Sequence, residues 1–354
     1  MIPGSKGHTF HARMKKYDFG IILLWYKYMT EKKKSLKQLI ENETHFLDFD
    51  LRYQISENIY KTLKHGSKDY PVDFYLLNAT ERLLDIIPWH WHKETELIYI
   101  LDGCGEFRIS EDSFQIHEGE ALFINSQVMH SFCIAPGSET CTCIDIVFRP
   151  DYLIAPSQPS LYTKYIYPIM QNQNLRGFVL TKNDIEKAGL TYYIPALFDL
   201  NIKEEAGYEL HTRELLTKIW LYILKQTKDI HFQTSNSQHS RISLDERRTK
   251  EALQYIENHY TEPITLDDIA NSIHLSRSEC CRCIKRCMNM TPFEFLLQLR
   301  IQKAGQLLSN SKKSLSIAEL ASAVGFNSCS YFNKLFRKYM GCTPSQYKKR
   351  MRDQ

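Results

Sequence analysis

LDDIA at residues 266–270 and IAELA at residues 317–321 are two copies of one segment, 51 residues apart in the C-terminal third of the chain. After a single inserted residue the spacing becomes 52, which aligns Thr291-Pro292 with Thr343-Pro344. In each copy the apolar pattern predicts a short helix, a three-residue turn and a longer amphipathic helix. The sequence therefore predicts two helix-turn-helix units in tandem.

The second helix of each unit has two chemically different faces. The residues whose helical spacing predicts a buried face are Cys280, Cys283, Ile284 and Cys287 in one unit and Phe332, Leu335, Phe336 and Tyr339 in the other. Polar and basic side chains lie on the opposite face at matching positions. Because the major groove of DNA admits one helix and presents base edges to it, we expect this face to bind DNA. A solvated charged face is the alternative.

The predicted DNA-binding residues are those of the polar faces and of the turns before them. They are Ser276, Arg277, Ser278, Cys281, Arg282, Lys285, Arg286, Asn327, Ser328, Cys329, Ser330, Asn333, Lys334 and Arg337. Charge supports the assignment, since residues 241–354 contain 19 Lys and Arg against 11 Asp and Glu, while the first 240 residues contain 26 against 30. A basic segment supplies the sequence-independent part of DNA affinity.

Between the two units, residues 292–309 carry apolar side chains at helical spacing and predict one continuous helix. These 18 residues, at about 1.5 Å each, give a rod of about 27 Å. Such a rod could hold the two recognition helices in successive turns of the major groove, about 34 Å apart. One chain could then cover two half-sites.

The chain has ten cysteines, scattered along 354 residues. We expect reduced thiols rather than a disulfide framework, and a cytoplasmic protein. Cys280, Cys283 and Cys287 are expected to fill the core, with a thiol switch or metal site as the alternative. The apolar run 21–28 is too short to cross a membrane, which takes about 20 residues.

The segment from residue 70 to 149 is organised differently, as short runs of strand-forming residues separated by turns. The predicted strands are residues 96–101, 106–109, 114–117, 121–124 and 142–148, with turns at 102–105 and 118–120. This spacing predicts an all-β barrel or jelly roll. Residues 209–225 predict an amphipathic helix, and packing of its apolar face on a second subunit or on its own barrel would give the same pattern.

A group of histidines lies inside the predicted barrel, as His90-Trp91-His92-x3-Glu96, with His130 further along the chain. Residues two apart on a strand project to the same side, so His90 and His92 share one face with Glu96. Three interpretations stay open: a binding pocket with no obligatory metal, a bound transition metal held by these four residues, or a structural role. In the first, Trp89 or Trp91 could stack on a sugar.

The pattern of the last 110 residues resembles the AraC/XylS family of bacterial transcription regulators. The matching residues are Ile269-Ala270, Leu275-Ser276, Arg282, Thr291-Pro292, Arg300 and Ala304, then Ile317-Ala318, Val324-Gly325-Phe326, Tyr331-Phe332, Phe336-Arg337-Lys338, Gly341, Thr343-Pro344 and Tyr347. The histidine motif is similar to that of the cupin superfamily. The resemblance implies a regulator that binds double-stranded promoter DNA and a small effector, which we expect to be a sugar.

The same resemblance implies a homodimer, allows contact with RNA polymerase, and gives no reason to expect a cofactor, a membrane partner or catalysis. The expected layout is a cupin-like effector domain at 46–150, a helical dimerisation segment at 151–232, a flexible linker at 233–244 and the DNA-binding domain at 245–354. Residues 1–45 are expected to be an N-terminal extension. The competing function is a metal-dependent cupin enzyme fused to a DNA-binding domain.

Overall fold

A computed structural model describes residue 67 and residues 69–79, 87–172, 174–227, 237–310 and 315–352. The expectations for the N-terminal extension, and for residues 46–66 of the effector domain, lie outside these ranges. The described part is a β-sheet region followed by helices, as the sequence predicts. All ten cysteines are free thiols. Among the described helices, none has the length and apolar character needed to cross a bilayer.

The described residues of the β-sheet region form eight strands, which pair antiparallel throughout. The strands are β1 (Val72–Ala79), β2 (Ile87–His90), β3 (Thr95–Ile109), β4 (Asp112–His117), β5 (Ala121–Ile124), β6 (His130–Ile134), β7 (Cys141–Phe148) and β8 (Gly177–Leu180). One sheet has the order β1-β7-β3-β5-β8. In addition, β4 and β6 each pair with β3, and β2 pairs with β6. An apolar core that includes Ile98, Phe107 and Phe132 fills the space between them.

The turn predicted at residues 102–105 is wrong, because strand β3 continues through these residues. Its first part pairs with β7 as far as Gly103, and its second part pairs with β4 and β6 from Cys104 onward. A register shift between Ile100 and Asp102 and the positive φ of Gly103 (76°) bend the strand between the two sheets. Glycine and a bulge therefore mark a corner of the barrel here.

The helices after the barrel are α1 (Pro159–Tyr165), α2 (Tyr167–Met170), α3 (Lys182–Lys187), α4 (Leu190–Lys203) and α5 (Tyr208–Thr227). Helix α5 confirms the predicted amphipathic helix. Its apolar face is buried on its own barrel, where the Trp220 ring lies 6.4 Å from that of Phe123 and 6.2 Å from that of Phe148. The expectation that this face pairs two subunits is therefore wrong, because its side chains are already packed within the chain.

Helix α6 (Ser237–His259) leads into the DNA-binding region. Residues 237–244, predicted as flexible linker, form its first turns, and residues 233–236 lie outside the described ranges. The linker was predicted from polar composition alone. Composition decides little here, because ordinary residues differ by less than about 1 kcal/mol in helix propensity. Packing of the following turns, where Thr249, Ala252 and Leu253 are fully buried, is enough to extend the helix.

The two predicted helix-turn-helix units are present. Helices α7 (Leu266–Ser272) and α8 (Arg277–Met288) form the first, α9 (Pro292–Asn310) is the predicted rod, and α10 (Ile317–Ala323) and α11 (Cys329–Met340) form the second, with α12 (Pro344–Arg352) after it. Helices α7 and α10 begin with the same capping box, at Thr265 and Ser316. The two turns also correspond, since His274 and Gly325, 51 residues apart, both have positive φ.

Gly325 gives a test of this turn. A Cβ there would lie 2.7 Å from the Tyr260 carbonyl oxygen and 2.9 Å from the Arg300 guanidinium. Arg300 Nε donates to that carbonyl, so neither neighbour can retreat easily. We expect Gly325→Ala to lower the free energy of unfolding by more than the roughly 1–2 kcal/mol that left-handed backbone alone costs an L-residue.

The matched control is Gly207→Ala, where φ is also 86° but no atom of the described residues lies within 4 Å of the added Cβ. Thermal unfolding of both full-length variants provides the comparison. Equal losses of stability in the two variants would show that backbone strain alone, and not the contact with Tyr260 and Arg300, requires the glycine.

Candidate functional sites

The predicted histidines lie together inside the barrel. His90 and His130 face each other across the β2–β6 pair, with ring centroids 4.0 Å apart, and the His92 ring lies 5.2 Å from that of His130. Glu96 Oε2 lies 2.8 Å from His130 Nε2 and 3.5 Å from His92 Nε2. All four side chains are buried. The structure thus brings the four predicted residues into one group, called here the histidine cluster.

Backbone carbonyls orient each imidazole of the histidine cluster. The Nδ1 atoms of His90, His92 and His130 lie 2.9, 3.2 and 2.9 Å from carbonyl oxygens two residues away. If Nδ1 carries the ring proton and donates a hydrogen bond to its carbonyl, Nε2 is unprotonated and faces the interior. One nitrogen from each ring lies within 4.8 Å of the others. Carbonyl contacts of this kind fix the orientation of metal-binding histidines in proteins.

Charge within the histidine cluster is balanced. Burial opposes ionisation of Glu96, but the attraction of His130 outweighs it and holds the pKa of Glu96 well below its usual value. Burial also acts against protonation of His130, and Glu96 overcomes it, so the pKa of His130 is raised. Burial, with repulsion from His130 and His92, lowers the pKa of His90. The cluster therefore favours the charged forms of Glu96 and His130 and the neutral form of His90.

Sequence reasoning missed two carboxyl groups beside the cluster. Asp145 of β7 is buried, and burial together with the charge of Glu96 raises its pKa well above the usual value. Glu94 Oε2 lies 3.8 Å from His92 Nδ1. The signal for Asp145 was a single carboxylate within the apolar run 141–148. A protonated Asp145 can donate a hydrogen bond to ionised Glu96, which completes the pairing of buried charges.

Trp89 does not belong to this site, although it was predicted to contact an effector. Its side chain lies in one hydrophobic cluster with Ala252 and Ile256 of α6 and with residues of the first helix-turn-helix unit, on the outer side of the barrel. The physical reason is the alternation of side chains along β2, which sends Trp89 and His90 to opposite faces. Trp91, the other candidate for stacking, packs against the same helical residues.

The predicted DNA-binding residues lie along the two recognition helices and the turns before them. Those that are exposed are Ser276, Arg277, Ser278, Arg282, Lys285, Asn327, Ser328, Cys329, Ser330, Asn333, Lys334 and Arg337, while Cys281 and Arg286 are partly buried. Ser276 and Ser328 also have a local structural role, because each caps its recognition helix by accepting a backbone N–H. The opposite faces are buried, which confirms the predicted core positions Cys280, Ile284, Phe332 and Phe336.

Several basic residues of the first recognition helix already have acidic partners. Arg286 Nε lies 2.8 Å from Asp245 of α6, and its Nη2 lies 3.0 Å from Glu279. Arg286 thus ties α8 to α6, so its assignment as a DNA contact has no support from its position. Arg282 pairs with Glu279 at 2.7 Å and Arg277 pairs with Asp267, but both side chains are largely exposed and can exchange these partners for phosphates.

Comparison with known protein families gives two matches. Residues 269–350 match a family model described as a helix-turn-helix domain, and residues 85–147 match one described as a cupin domain. The first contains α8, α9 and α11, and the second contains the histidine cluster. These matches fall on the two regions that the sequence and the structure single out.

Curated relatives match across both the cupin and the helix-turn-helix regions, over about three quarters or more of the chain. The HTH-type transcriptional regulator YdeC of Bacillus subtilis is 33% identical over 297 residues, covering 84% of this chain and 98% of its own. The melibiose operon regulatory protein of Escherichia coli is 25% identical over 266 residues, covering 73% of this chain and 83% of its own. The solved structure of ToxT from Vibrio cholerae aligns with a TM-score of 0.40 and 14% identity, over 78% of this chain and 98% of that one. On the full-length similarity to YdeC and the tandem helix-turn-helix units, the chain belongs to the AraC family of transcription regulators.

Proposed function

We propose that this regulator recognises promoter DNA through both recognition helices, each lying in one major groove. The main support for this proposal is the pair of exposed polar faces on α8 and α11, which occupy equivalent positions of two capped helix-turn-helix units. Side chains from these faces can reach base edges, and the net positive charge of residues 241–354 attracts the phosphates. One chain would contact two half-sites.

Arg282→Ala and Lys334→Ala test this proposal. DNA sequences are first selected from a random duplex pool with the wild-type protein, and affinity is then measured for the selected duplex and for a scrambled one. We expect each variant to lose about 1–3 kcal/mol of binding free energy on the selected duplex and less on the scrambled duplex, because a base contact discriminates and a phosphate contact does not.

Lys203→Ala is the matched control, since it removes an exposed positive charge from α4, outside the DNA-binding region. It should leave both affinities unchanged. If Arg282→Ala or Lys334→Ala loses the same binding free energy on both duplexes, that side chain contacts phosphates and not base edges.

We propose further that the histidine cluster is the effector site. Hydroxyl groups suit it, because a neutral imidazole both donates and accepts hydrogen bonds and the carboxyl groups accept or donate according to protonation. The sequence predicts a sugar, and one relative is named for the melibiose operon. Since the four side chains already lie close together, a sugar would bind at the edge of the cluster rather than between its members.

A divalent metal ion is the second candidate for this site. The supporting observation is that three imidazoles are oriented through Nδ1, while their remaining nitrogens converge with Glu96. Although His130 Nε2 lies 2.8 Å from Glu96 Oε2, neither atom has a well-directed hydrogen bond with any residue that the structure describes. The donor set fits Zn²⁺, Co²⁺ or Fe²⁺; His90, His92, His130 and Glu96 would hold the ion, which would supply a positive centre that attracts an anionic or hydroxyl-bearing effector.

Thermal unfolding of the full-length protein against sugars, sugar phosphates and divalent metals, each with and without chelator, separates these candidates. We expect binding to raise the melting temperature, because a ligand that binds only the folded state stabilises it. His90→Ala should abolish the shift, whereas His117→Ala, which removes an exposed histidine paired with Glu120, should not.

A shift that survives chelator assigns the site to the organic effector, and a shift lost in chelator assigns it to the metal. If His90→Ala retains the full shift, the ligand binds elsewhere and the histidine cluster is not the effector site.

The enzyme alternative, a metal-dependent cupin with a DNA-binding region, is disfavoured because the relatives are transcription regulators. Turnover of a compound identified in the thermal screen would revive it. Homodimerisation and contact with RNA polymerase stay predictions from the family resemblance. A dimer would have to use surface other than the buried face of α5, such as the exposed Leu210 and Leu221 of that helix.

A further inference from the structure

The first helix-turn-helix unit has a core that extends into the barrel. Trp89 and Met129 are fully buried in one cluster with Ala252, Ile256 and Ile269 of the DNA-binding region, and Trp91 packs against its edge. The core of the second unit, by contrast, contains residues of the DNA-binding region. The barrel therefore completes the hydrophobic core of the first recognition helix.

The side chains of the first unit's core are small at the positions where the second unit has large ones. At the repeat offset of 52, Cys280, Cys283 and Cys287 of α8 correspond to Phe332, Leu335 and Tyr339 of α11. Small side chains bury less apolar surface, so α8 gains less stability from its own unit than α11 does. Trp89 and Met129 supply part of the apolar contact that the smaller side chains cannot.

Each barrel residue in this contact is adjacent in sequence to a member of the histidine cluster. Trp89 and Trp91 flank His90, and Met129 precedes His130. Neighbouring residues on an extended chain point to opposite faces, so these histidines point into the barrel while the larger side chains point to the helices. A shift of His90 or His130 must therefore move a side chain at the helical contact.

Polar contacts hold helix α6 against the same part of the barrel. Glu246 Oε1 accepts the Met129 N–H at 3.2 Å, and Lys250 Nζ donates to the Gln127 carbonyl. Glu246 and Lys250 also pair with each other at 3.0 Å. The Lys250 ammonium lies 5.7 Å from the centre of the Trp91 ring. Trp89, Trp91, Gln127 and Met129 thus form one surface, called here the docking edge.

Helix α6 in turn is bonded to the first recognition helix. Asp245 pairs with Arg286, and its carbonyl accepts from the Cys283 thiol at 3.2 Å. Asp245 and Thr249 point to α8, while Glu246 and Lys250, one position further round the helix, reach the docking edge. A continuous set of contacts therefore leads from the histidine cluster through the docking edge and α6 to α8.

We propose that the docking edge transmits occupancy of the histidine cluster to the first recognition helix: a ligand bound to the cluster strengthens docking of α6, and docking of α6 strengthens ligand binding. Coupling of this kind is reciprocal. The exposed polar face of α8 stays open in the docked form, so docking controls the orientation of this helix rather than access to it. The inference rests on the proposal that the cluster binds a ligand.

Trp89 adds an observation that favours a reversible contact. Its indole Nε1 is buried and has no hydrogen-bond partner among the described residues, while the Arg108 guanidinium lies 5.5 Å from its ring. Burying an indole N–H without an acceptor is unfavourable, and release of α6 would return it to water. The docked form is therefore poised to open.

The experiment uses the full-length protein, Co²⁺ as the probe, and two double variants that leave the net charge unchanged. Glu246→Gln/Lys250→Gln removes the polar contacts with the docking edge. Arg247→Gln/Glu251→Gln, on the same helix with the same spacing, removes an exposed ion pair of 3.9 Å. Co²⁺ affinity is measured from its visible absorption, and hydrogen exchange is followed in residues 245–256.

We expect the first variant to bind Co²⁺ about 5-fold or more weakly than the wild type, and the second to bind it equally well. Co²⁺ should slow exchange in residues 245–256 of the wild type and of the control, but not of the docking variant. Equal Co²⁺ affinities together with exchange that Co²⁺ leaves unchanged would overturn the coupling while the metal site stands.

A second experiment measures hydrogen exchange without any ligand. It tests the coupling even if the Glu246→Gln/Lys250→Gln variant fails to fold. His130→Gln perturbs the histidine cluster from inside, and His117→Gln on exposed β4 is its control. Faster exchange in residues 245–256 of His130→Gln alone supports the coupling, and identical exchange in both overturns it. If Co²⁺ does not bind the wild type, the metal proposal fails, and this arm decides the coupling by itself.

Discussion

Alternation of side chains along extended backbone is the constraint on which both candidate sites depend. It sends His90 and Trp89 to opposite faces of β2, and it does the same for His130 and Met129 at the start of β6. One short piece of backbone thus serves a buried polar cluster on one side and the core of a helix-turn-helix unit on the other. Neither side can be rebuilt without affecting the other, because the peptide planes between them are stiff.

Burying several ionisable groups next to one another is unfavourable unless their charges are compensated. Here Glu96 and His130 favour each other's charged forms, burial and the other histidines lower the pKa of His90, and burial with the charge of Glu96 raises the pKa of Asp145. Apolar side chains of similar volume would stabilise a barrel at least as well. A cluster of this kind inside an otherwise apolar core is therefore better explained by ligand binding than by stability.

Local periodicity made the DNA-binding region predictable, and contacts distant in sequence made the rest unpredictable. The faces of α8 and α11 follow from residues three and four apart, so the exposed Lys334 and the buried Phe332 could be assigned from the sequence. One of the two acidic partners of Arg286 is Asp245, 41 residues away, and no local pattern shows it. The continuation of β3 through Gly103 likewise depends on pairing with β7, which a turn-forming sequence conceals.

The asymmetry between the two units has a consequence for how one chain could be regulated. The second unit has its own aromatic core around Phe332 and Phe336, so its orientation depends little on the barrel. The first unit, with a core of smaller side chains that Trp89 and Met129 complete, is the one whose position the barrel can change. If one unit stays bound to its half-site while the other is redirected, a ligand alters the spacing that the chain recognises without dissociating it from DNA. A modest difference in docking free energy would then be enough, because each factor of ten in preference costs only about 1.4 kcal/mol.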